Sequence, residues 1–467
     1  MADDRDAEAL HRLGYAQDLL RRMGGFSSFA VSFSIISVLT GCITAYPDAL
    51  GAGGPAALGL GWPLVSAGTM LVALAMAELA SAFPTAGALY HWSALLGGVG
   101  TGWMTAAINI AGQLAIVAAI DFGCASELAA TLGLEGTGPT LGLLALLLAS
   151  HALVNAASVR VVALLNDVSA TVHILGVIAI VGALFALGRA QSPAFLATPV
   201  HGGGGFLGGL VLGMFTFTGY DASAHLSEET HDPARRSAWG IVASVGVSAV
   251  AGYLLLAALT LGIRDLPAAV ADRHAPLTIL RGALGDGLGR AAMGLALLAM
   301  WFCGLSSVTS ASRTIFAFAR DGGLPRSLGT VDATTRTPVR AILLATAGPL
   351  VLCLVTAPVS AVFDAMAKAA TMALYVSYAL PIACGLRARA RGTWTRRGPF
   401  RLGALGVPIG WAALAWSAFV LVVCSLPPNL VPALALAALV FTLLVAWRVR
   451  VRRHFRGPKV TLASLEV

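Results

Sequence analysis

Apolar residues fall into long windows along this chain, and short segments rich in glycine, proline and charge separate them. An α-helix needs about 20 predominantly apolar residues to cross a bilayer, so each window is a candidate membrane-spanning helix. The pattern predicts twelve such helices, at residues 28–50, 62–83, 98–122, 139–157, 161–188, 206–228, 237–263, 288–319, 340–357, 361–386, 403–426 and 428–448. The predicted fold class is therefore an all-α polytopic membrane protein.

Composition supports this prediction. Of the 467 residues, 57% are hydrophobic and 11% are charged, whereas a typical soluble domain carries about 25% charged residues. The net charge of +8 could indicate nucleic-acid binding, but most basic side chains lie in short loops between apolar windows, where they set orientation in a bilayer. We therefore expect a lipid bilayer around the protein and no nucleic-acid partner.

The distribution of basic residues predicts the orientation. The first 26 residues are polar and mixed in charge, without the apolar core and cleavage site of a signal peptide. Arginine and lysine concentrate in alternate connections, including the cluster at Arg387–Arg401 and the tail at Arg448–Lys459. The 264–290 loop is an exception, although three aspartates partly offset its four arginines. Because basic loops stay in the cytoplasm, both termini are predicted to be cytoplasmic.

The first and sixth windows share a Thr-Gly dipeptide, at Thr40-Gly41 and at Thr218-Gly219. Transporters built from two inverted repeats place a discontinuous helix at the start of each half, and matching glycine interruptions indicate the substrate site. Unwound backbone at mid-membrane exposes N–H and C=O groups, which together suit a zwitterion. The pattern therefore predicts two broken helices that meet near the middle of the membrane.

Several ionisable side chains lie inside the predicted spans, where they are costly and often functional. Asp221 and His225 are four residues apart and share a helical face if the helix continues, in either a functional or a capping role. His173 lies near the middle of the fifth span, where it could take up a proton during transport or be a satisfied core residue. We interpret Glu228 and Glu229 as markers of the cytoplasmic end of the sixth span.

Other polar residues and motifs indicate which kinds of site and activity this protein can have. Hydroxyl groups of Ser306, Ser307 and Thr309 in the eighth span could bind sodium or simply allow close packing. The six cysteines lie in apolar stretches without CxxC spacing, so we expect neither disulfides nor a metal site. The chain contains no HExxH pattern and no GxxxxGK[ST] loop, so we expect no cofactor, no enzymatic activity and no ATP-driven pumping. A channel is disfavoured because the polar residues form one cluster rather than a continuous pore.

Five segments resemble the amino acid–polyamine–organocation (APC) superfamily, in its branch of amino acid and choline permeases. They are FSIISVLTG (33–41), AELASAFPTAGALYHW (77–92), LNDVSATVHILG (165–176), FTGYDASAHLSEET (217–230) and SRTIFAFARDGGLP (312–325). The resemblance implies twelve helices with a five-plus-five inverted repeat and two final helices outside it. The implied divisions are a cytoplasmic segment (1–26), the first repeat (27–190), the second repeat (205–386), helices eleven and twelve (403–448) and a cytoplasmic tail (449–467).

The resemblance also implies a substrate site. The carboxylate of an amino acid would meet backbone N–H groups near Thr40, Gly41 and Cys42, and its amine would meet carbonyl groups of the first and sixth helices. Aromatic side chains such as Phe215, Phe217 or Tyr220 would cover the ligand as a gate. The complete set of expected substrate-binding residues is Ser37, Thr40, Gly41, Cys42, Phe215, Phe217, Thr218, Gly219, Tyr220 and Asp221.

His173 aligns with a lysine that fills the sodium site in many proton-coupled members of the superfamily. The expected ion-coupling residues are therefore His173, Ser306, Ser307 and Thr309, with either a proton or sodium as the coupling ion.

The sequence predicts a secondary active transporter for amino acids or γ-aminobutyrate-like compounds in the plasma or inner membrane, working by proton coupling or exchange. A carrier of choline, ethanolamine or polyamines is the alternative. A permanently cationic substrate favours aromatic rings and a carboxylate, which would make Asp221 central. A sodium-coupled amino acid symporter also stays open.

Overall fold

The regular structure of this protein is helical. The computed structural model describes residues 2–200, 205–357, 362–427 and 430–459, and within these ranges the β-structure is a single isolated bridge between Met23 and Thr230. Parts of four predicted segments lie outside the described residues: 1 in the N-terminal segment, 358–361 in the second repeat (361 also in the tenth span), 428 and 429 in the twelfth span, and 460–467 in the tail.

The α-helices are numbered here in chain order. They are α1 Ala2–Arg12, α2 Gly25–Ile36, α3 Val38–Thr44, α4 Tyr46–Gly59, α5 Gly61–Ala82, α6 Leu89–Gly97, α7 Val99–Leu132, α8 Thr137–Ala157, α9 Val159–Ala183, α10 Gly205–Gly209, α11 Val211–Thr216, α12 Ala222–His225, α13 Pro233–Leu261, α14 Leu266–Ala271, α15 Ala275–Leu284, α16 Asp286–Arg320, α17 Val339–Thr356, α18 Val362–Ala390, α19 Gly406–Cys424 and α20 Val431–Val449.

Eleven of the described helical segments are long and apolar enough to cross a membrane. They match eleven of the twelve predicted windows, with α2 and α3 together forming the first. The sixth window differs because the chain there forms the short helices α10, α11 and α12 instead of one long helix. The all-helical polytopic fold is confirmed, and eleven rather than twelve described segments meet the length and hydropathy expected of a span.

The helices form a buried centre and an apolar surface. At the centre α18 packs on α7, α13 packs on α5 and α2, and α16 packs on α7. Helices α8, α9 and α20 carry exposed apolar side chains, such as Leu153 at 72% and Phe441 at 68% exposure. Monomeric soluble proteins rarely expose large contiguous apolar patches, whereas helices facing hydrocarbon do so throughout. The surface of the bundle is therefore that of a multi-pass membrane protein.

The first span breaks at Ser37, where the backbone is left-handed with φ of 33°. The Ser37 hydroxyl oxygen accepts a hydrogen bond from the Thr40 N–H at 3.2 Å and caps the start of α3. The sequence-based prediction of a break at Thr40-Gly41 is wrong by three residues, since both residues lie inside α3. The serine supplies the cap that the interruption needs, and the glycine serves close packing instead.

The second break confirms the prediction at Thr218-Gly219. Helix α11 ends at Thr216, α12 begins at Ala222, and Gly219 between them has φ of 88°. Glycine adopts this conformation without the steric penalty that a Cβ atom brings. The irregular stretch leaves several backbone groups at the centre of the bundle without partners from a continuous helix.

Candidate functional site

The two helix breaks contact each other. A Cβ atom placed on Gly41 would lie 2.6 Å from Cγ2 and 2.7 Å from Cβ of Thr216 on α11. A Cβ atom on Gly219 would likewise lie 3.1 Å from Cβ of Ile35 on α2. The Ser32 hydroxyl donates to the Tyr220 carbonyl oxygen at 2.8 Å. Each break therefore uses a glycine to bring the other helix within van der Waals distance.

His173 holds the first break from one side. Its Nε2 lies 2.7 Å from Oγ of Ser37, and its Nδ1 lies 2.8 Å from the carbonyl oxygen of Ser169. Because a carbonyl oxygen only accepts, we assign the proton to Nδ1, and Nε2 then accepts from the Ser37 hydroxyl. These contacts satisfy a neutral imidazole. Asp167, six residues before His173 in α9, accepts a hydrogen bond from Ser27 at 3.1 Å.

Asp221 organises the second break. The Tyr378 hydroxyl donates to Oδ1 of Asp221 at 2.9 Å and accepts from the Gly219 N–H at 3.2 Å. The second carboxylate oxygen, Oδ2, lies 3.1 Å from Nε2 of His225. All four residues are buried, so a hydrogen-bonded chain joins the irregular backbone to a carboxylate and an imidazole.

The predicted gate residues Phe215, Phe217 and Tyr220 are buried among other rings. The distances between ring centroids are 5.6 Å for Phe215 and Phe363, 4.6 Å for Phe217 and Trp62, and 5.1 Å for Tyr220 and Tyr378. The Tyr220 hydroxyl is buried and has no hydrogen-bond partner among the described residues. Buried polar atoms are nearly always paired, so this hydroxyl has an unused capacity for a hydrogen bond at the second break.

The predicted ion-coupling hydroxyls on α16 are not bonded to His173. Ser306 donates to Asn166 at 2.6 Å, Thr309 donates to Asn155 at 2.7 Å, and Ser307 donates to the carbonyl oxygen of Cys303 at 2.8 Å. Ser306 and Thr309 thus contact asparagines on α9 and α8, whereas Ser307 contacts Cys303, whose thiol donates to the Ile35 carbonyl oxygen beside the first break at 3.2 Å. Their role in coupling stays a prediction.

A second polar cluster lies at the end of the bundle where α2 begins. We call it the α2-end cluster, and its members are Tyr15, Tyr90, His91, Glu228, Arg320 and Asp321. Tyr15, Tyr90 and His91 all contact Oδ2 of Asp321, at 2.7, 2.9 and 3.1 Å. Arg320 forms two hydrogen bonds to Glu228, at 2.8 and 3.0 Å, and covers the ring of Tyr15. Three of the segments that carry the APC resemblance thus meet here.

The Asp321 carboxylate is stabilised inside the α2-end cluster. Burial of Asp321 opposes its ionisation, but hydrogen bonds from His91, Tyr15 and Tyr90 more than offset burial and lower its pKa below the usual value. Next to the cluster, the buried Arg313 guanidinium pairs with Glu229 at 2.7 Å. Glu228 and Glu229 are therefore more than markers of a helix end, because Glu228 pairs with the partly buried Arg320 and Glu229 with the buried Arg313.

Some of these residues gave little signal in the sequence. Tyr378 lies in an apolar stretch of α18, and Tyr15 lies in a segment without a recognisable motif. The pairing of Arg313 and Arg320 could have been predicted in part. Two arginines near the end of an apolar helix need acidic partners, and a Glu-Glu pair lies at the end of the sixth window.

Replacing Tyr15 with phenylalanine is expected to loosen the N-terminal segment. The change removes the hydroxyl donated to Asp321, and leaving a buried acceptor short of a donor costs about 1–3 kcal/mol. The backbone N–H groups of Arg22 and Met23 donate to the backbone carbonyl oxygen of Glu229 at 2.9 Å. In the variant these two N–H groups should exchange with deuterium roughly five- to 150-fold faster. Arg12→Ala, at an exposed ion pair, is the control, and equal exchange in the two variants would contradict this role for Tyr15.

Comparison with known proteins agrees with this architecture. The sequence profile described as amino acid permease matches residues 23–447. The chain is 35% identical to "Amino-acid permease BAT1" of Arabidopsis thaliana, with 97% of this chain and 96% of the relative aligned. It is also 35% identical to "Amino-acid permease BAT1 homolog" of Oryza sativa subsp. japonica, over 97% of this chain and 95% of the relative. Identity to the "GABA-specific permease" of Saccharomyces cerevisiae is 28%, over 90% of this chain and 78% of the relative.

These matches extend over almost the whole chain and include both helix breaks. The eleven apolar helices, the two interrupted segments and the profile match lead to the same conclusion. The chain belongs to the amino acid permease family, within the APC superfamily of multi-pass membrane transporters.

Proposed function

We propose that this protein is a secondary active transporter of amino acids or γ-aminobutyrate-like compounds that works by alternating access. The short helices α10 to α12 supply the sixth crossing and bring the number of spans to twelve. Five crossings begin with the broken segment α2–α3 and five with the broken segment α10–α12, as a five-plus-five inverted repeat requires. Helices α19 and α20 then lie outside the repeat.

The observation that carries this proposal is the contact between the two helix breaks. Gly41 packs against Thr216 and Gly219 packs against Ile35, which leaves irregular backbone from two helices side by side in a buried centre. Irregular backbone at membrane depth is tolerated where it is buried in protein or lines a water-filled cavity, and in inverted-repeat transporters such broken helices form the substrate site. The unpaired Tyr220 hydroxyl at the second break supplies a polar contact for a ligand.

The proposed substrate site uses both breaks. The carboxylate of the substrate is held near the start of α3, by N–H groups in the region of Thr40, Gly41 and Cys42. In the described conformation the Thr40 and Gly41 N–H groups donate to the Ser37 carbonyl oxygen, so a substrate would replace these bonds. The amine is held near Thr218 and Asp221, and the rings of Phe215, Phe217 and Tyr220 cover the ligand.

Orientation and coupling complete the proposal. Both termini and the α2-end cluster face the cytoplasm, and the protein lies in the plasma or inner membrane. His173 is a candidate proton carrier because of its depth and its bond to Ser37 at the first break. Sodium coupling through Ser306, Ser307 and Thr309 would require these hydroxyls to turn from Asn166, Cys303 and Asn155 towards an ion.

A ligand screen tests the proposed function. We expect at least one of alanine, glutamate, arginine and γ-aminobutyrate to raise the thermal stability of the purified protein, by about 2.7 kcal/mol at 100 times its dissociation constant. The same compound should accumulate in proteoliposomes under a pH or sodium gradient, and wild-type protein with collapsed gradients is the control. Stabilisation and uptake by none of the four would contradict the proposal.

A choline, ethanolamine or polyamine carrier is the second candidate. The Asp221 carboxylate lies beside the Tyr220 and Tyr378 rings, and a carboxylate with aromatic faces suits an ammonium group. Competition separates the two functions. Choline or putrescine should displace γ-aminobutyrate poorly from an amino acid transporter and should outcompete it in an amine carrier.

A further inference from the structure

Asp221 and His225 form a buried acid–base pair one turn apart at the second break. Oδ2 of Asp221 lies 3.1 Å from Nε2 of His225, and the two side chains are 3% and 0% exposed. The other carboxylate oxygen accepts from Tyr378, which also contacts the Gly219 N–H. The pair therefore touches the irregular backbone through a single hydroxyl group.

The surroundings of the imidazole indicate where its protons are. Nδ1 of His225 lies 3.2 Å from the Ala86 carbonyl oxygen and 3.0 Å from Oγ1 of Thr314. A carbonyl oxygen only accepts, and the Thr314 hydroxyl has its own acceptor in the Ser310 carbonyl oxygen at 3.2 Å. With the Asp221 carboxylate facing Nε2, acceptors face both ring nitrogens. This arrangement fits an imidazolium that donates from each nitrogen.

A neighbouring amide supports this assignment. Nε2 of Gln113 lies 3.0 Å from Oγ1 of Thr314 and 2.6 Å from Oδ1 of Asn109. The Asn109 amide then donates to Ser377 at 3.0 Å. The Gln113 amide nitrogen also lies 3.5 Å from Nε2 of His225, but its two N–H groups have closer acceptors in Asn109 and Thr314. Gln113 donates to Thr314, and Thr314 donates to the Ser310 carbonyl oxygen. The acceptors left for the two ring protons of His225 are the Asp221 carboxylate and the Ala86 carbonyl oxygen.

The charged groups around the pair also favour an imidazolium at His225. The ionisable groups that face the pair from α18 are Tyr375 and Tyr378, and Tyr220 lies next to Asp221. From α16 and the end of the sixth segment come Arg313 with Glu229 and Arg320 with Glu228, and each arginine is already paired with a carboxylate. Polar groups alone face it from α7. An ionised Asp221 beside a neutral His225 would leave a net negative charge buried, which is costly.

We propose that Asp221 and His225 together form a proton-binding site that exchanges one proton with solvent during the transport cycle. In the described conformation the pair holds the proton as carboxylate and imidazolium. When the pair opens to water, the Nδ1 proton passes to a water molecule, and the neutral ring loses its bond to Ala86. That bond joins α12 to the 85–88 turn, so proton loss weakens the packing of the second break.

Proton binding at this site is independent of the transported compound, whereas its use in coupling depends on the proposed function. The site differs from His173, whose two nitrogens face a hydroxyl and a carbonyl group and are satisfied when the ring is neutral. The molecule also contains an internal control, since Asp121 and His151 form another buried pair at 3.1 Å. Nδ1 of His151 has no hydrogen-bond partner among the described residues, so a doubly protonated ring there would leave one buried N–H unpaired, unlike the ring of His225.

Nitrogen-15 NMR of protein labelled at histidine tests proton binding without any substrate. The signal lost in His225→Gln should show both ring nitrogens protonated at pH 7, and the signal lost in His151→Gln should show one. Asp221→Asn should convert the His225 signal to the neutral form. This second variant tests the site even if His225→Gln does not fold. A neutral His225 signal in the wild-type protein would overturn the site.

Uptake into proteoliposomes tests coupling, with radiolabelled γ-aminobutyrate, alanine and choline as the probes. In His225→Gln the ratio of accumulation under a pH gradient to exchange under equal pH should fall at least tenfold, and His151→Gln should keep the wild-type ratio. An unchanged ratio in His225→Gln would overturn the coupling role. If wild-type protein transports none of the three probes, the proposed function fails, while the NMR result decides proton binding separately.

Discussion

Replacing Arg313 with alanine is expected to cost about 3–5 kcal/mol of stability, because it leaves the Glu229 carboxylate buried without its partner. The guanidinium is 0% exposed and the carboxylate 1%, so neither group can turn to water. Thermal unfolding of the purified protein in detergent should show a large fall in midpoint temperature, or the variant should not be recovered as folded protein.

Two further variants separate charge from packing. Arg313→Met with Glu229→Gln removes both charges while keeping much of the volume, and it should recover most of the lost stability because no buried charge is left unpaired. Arg12→Ala breaks an ion pair whose side chains are 70% and 62% exposed, and it should change little. An Arg313→Ala protein as stable as Arg12→Ala would show that the buried pair does not stabilise the bundle.

Enlarging Gly41 is expected to reduce transport strongly. Even alanine would place its Cβ 2.7 Å from Cβ of Thr216, well inside van der Waals contact. Overpacking of a tight contact costs about 1–3 kcal/mol and here would push α3 away from α11, where the two breaks meet. We expect uptake into proteoliposomes to fall at least tenfold for Gly41→Ala and further for Gly41→Leu, while the protein still folds.

Removing the Thr216 side chain in the same protein gives a specific control. In Gly41→Ala with Thr216→Gly the added methyl group faces the space that the threonine side chain vacates, so uptake should partly recover. Gly51→Ala is the matched control, because a Cβ atom there would meet nothing within 4 Å. Normal uptake by Gly41→Leu, or a double variant no better than Gly41→Ala, would contradict the close approach of the breaks.

The membrane-spanning helices were predictable because their signal is local. A span needs a run of apolar residues, and eleven of the twelve predicted windows became helices that satisfy this requirement. The sixth window has the same composition but not the same structure. Its glycine at position 219 takes a left-handed conformation and its polar residues find partners on other helices, so only short helical turns form there.

The break positions show where local information ends. Gly219 was a reliable indicator because the backbone there needs positive φ. At the first break the left-handed residue is Ser37, a non-glycine that the surrounding structure stabilises through Thr40 and His173. A serine in an apolar helix is common, so nothing local distinguished Ser37 from Ser32 or Ser34. Its role depends on an imidazole 136 residues away along the chain.

The pattern of apolar windows by itself determined that this protein is a helical bundle in a membrane, and the Thr-Gly dipeptides and polar residues indicated which two helices are interrupted. Only the tertiary structure decided how the buried polar groups are paired. Asp221 contacts Tyr378, Glu228 contacts Arg320 and Glu229 contacts Arg313 across separations of 157, 92 and 84 residues. The cost of burying an ionisable group can be anticipated from sequence, but the partner that offsets it depends on how distant helices pack.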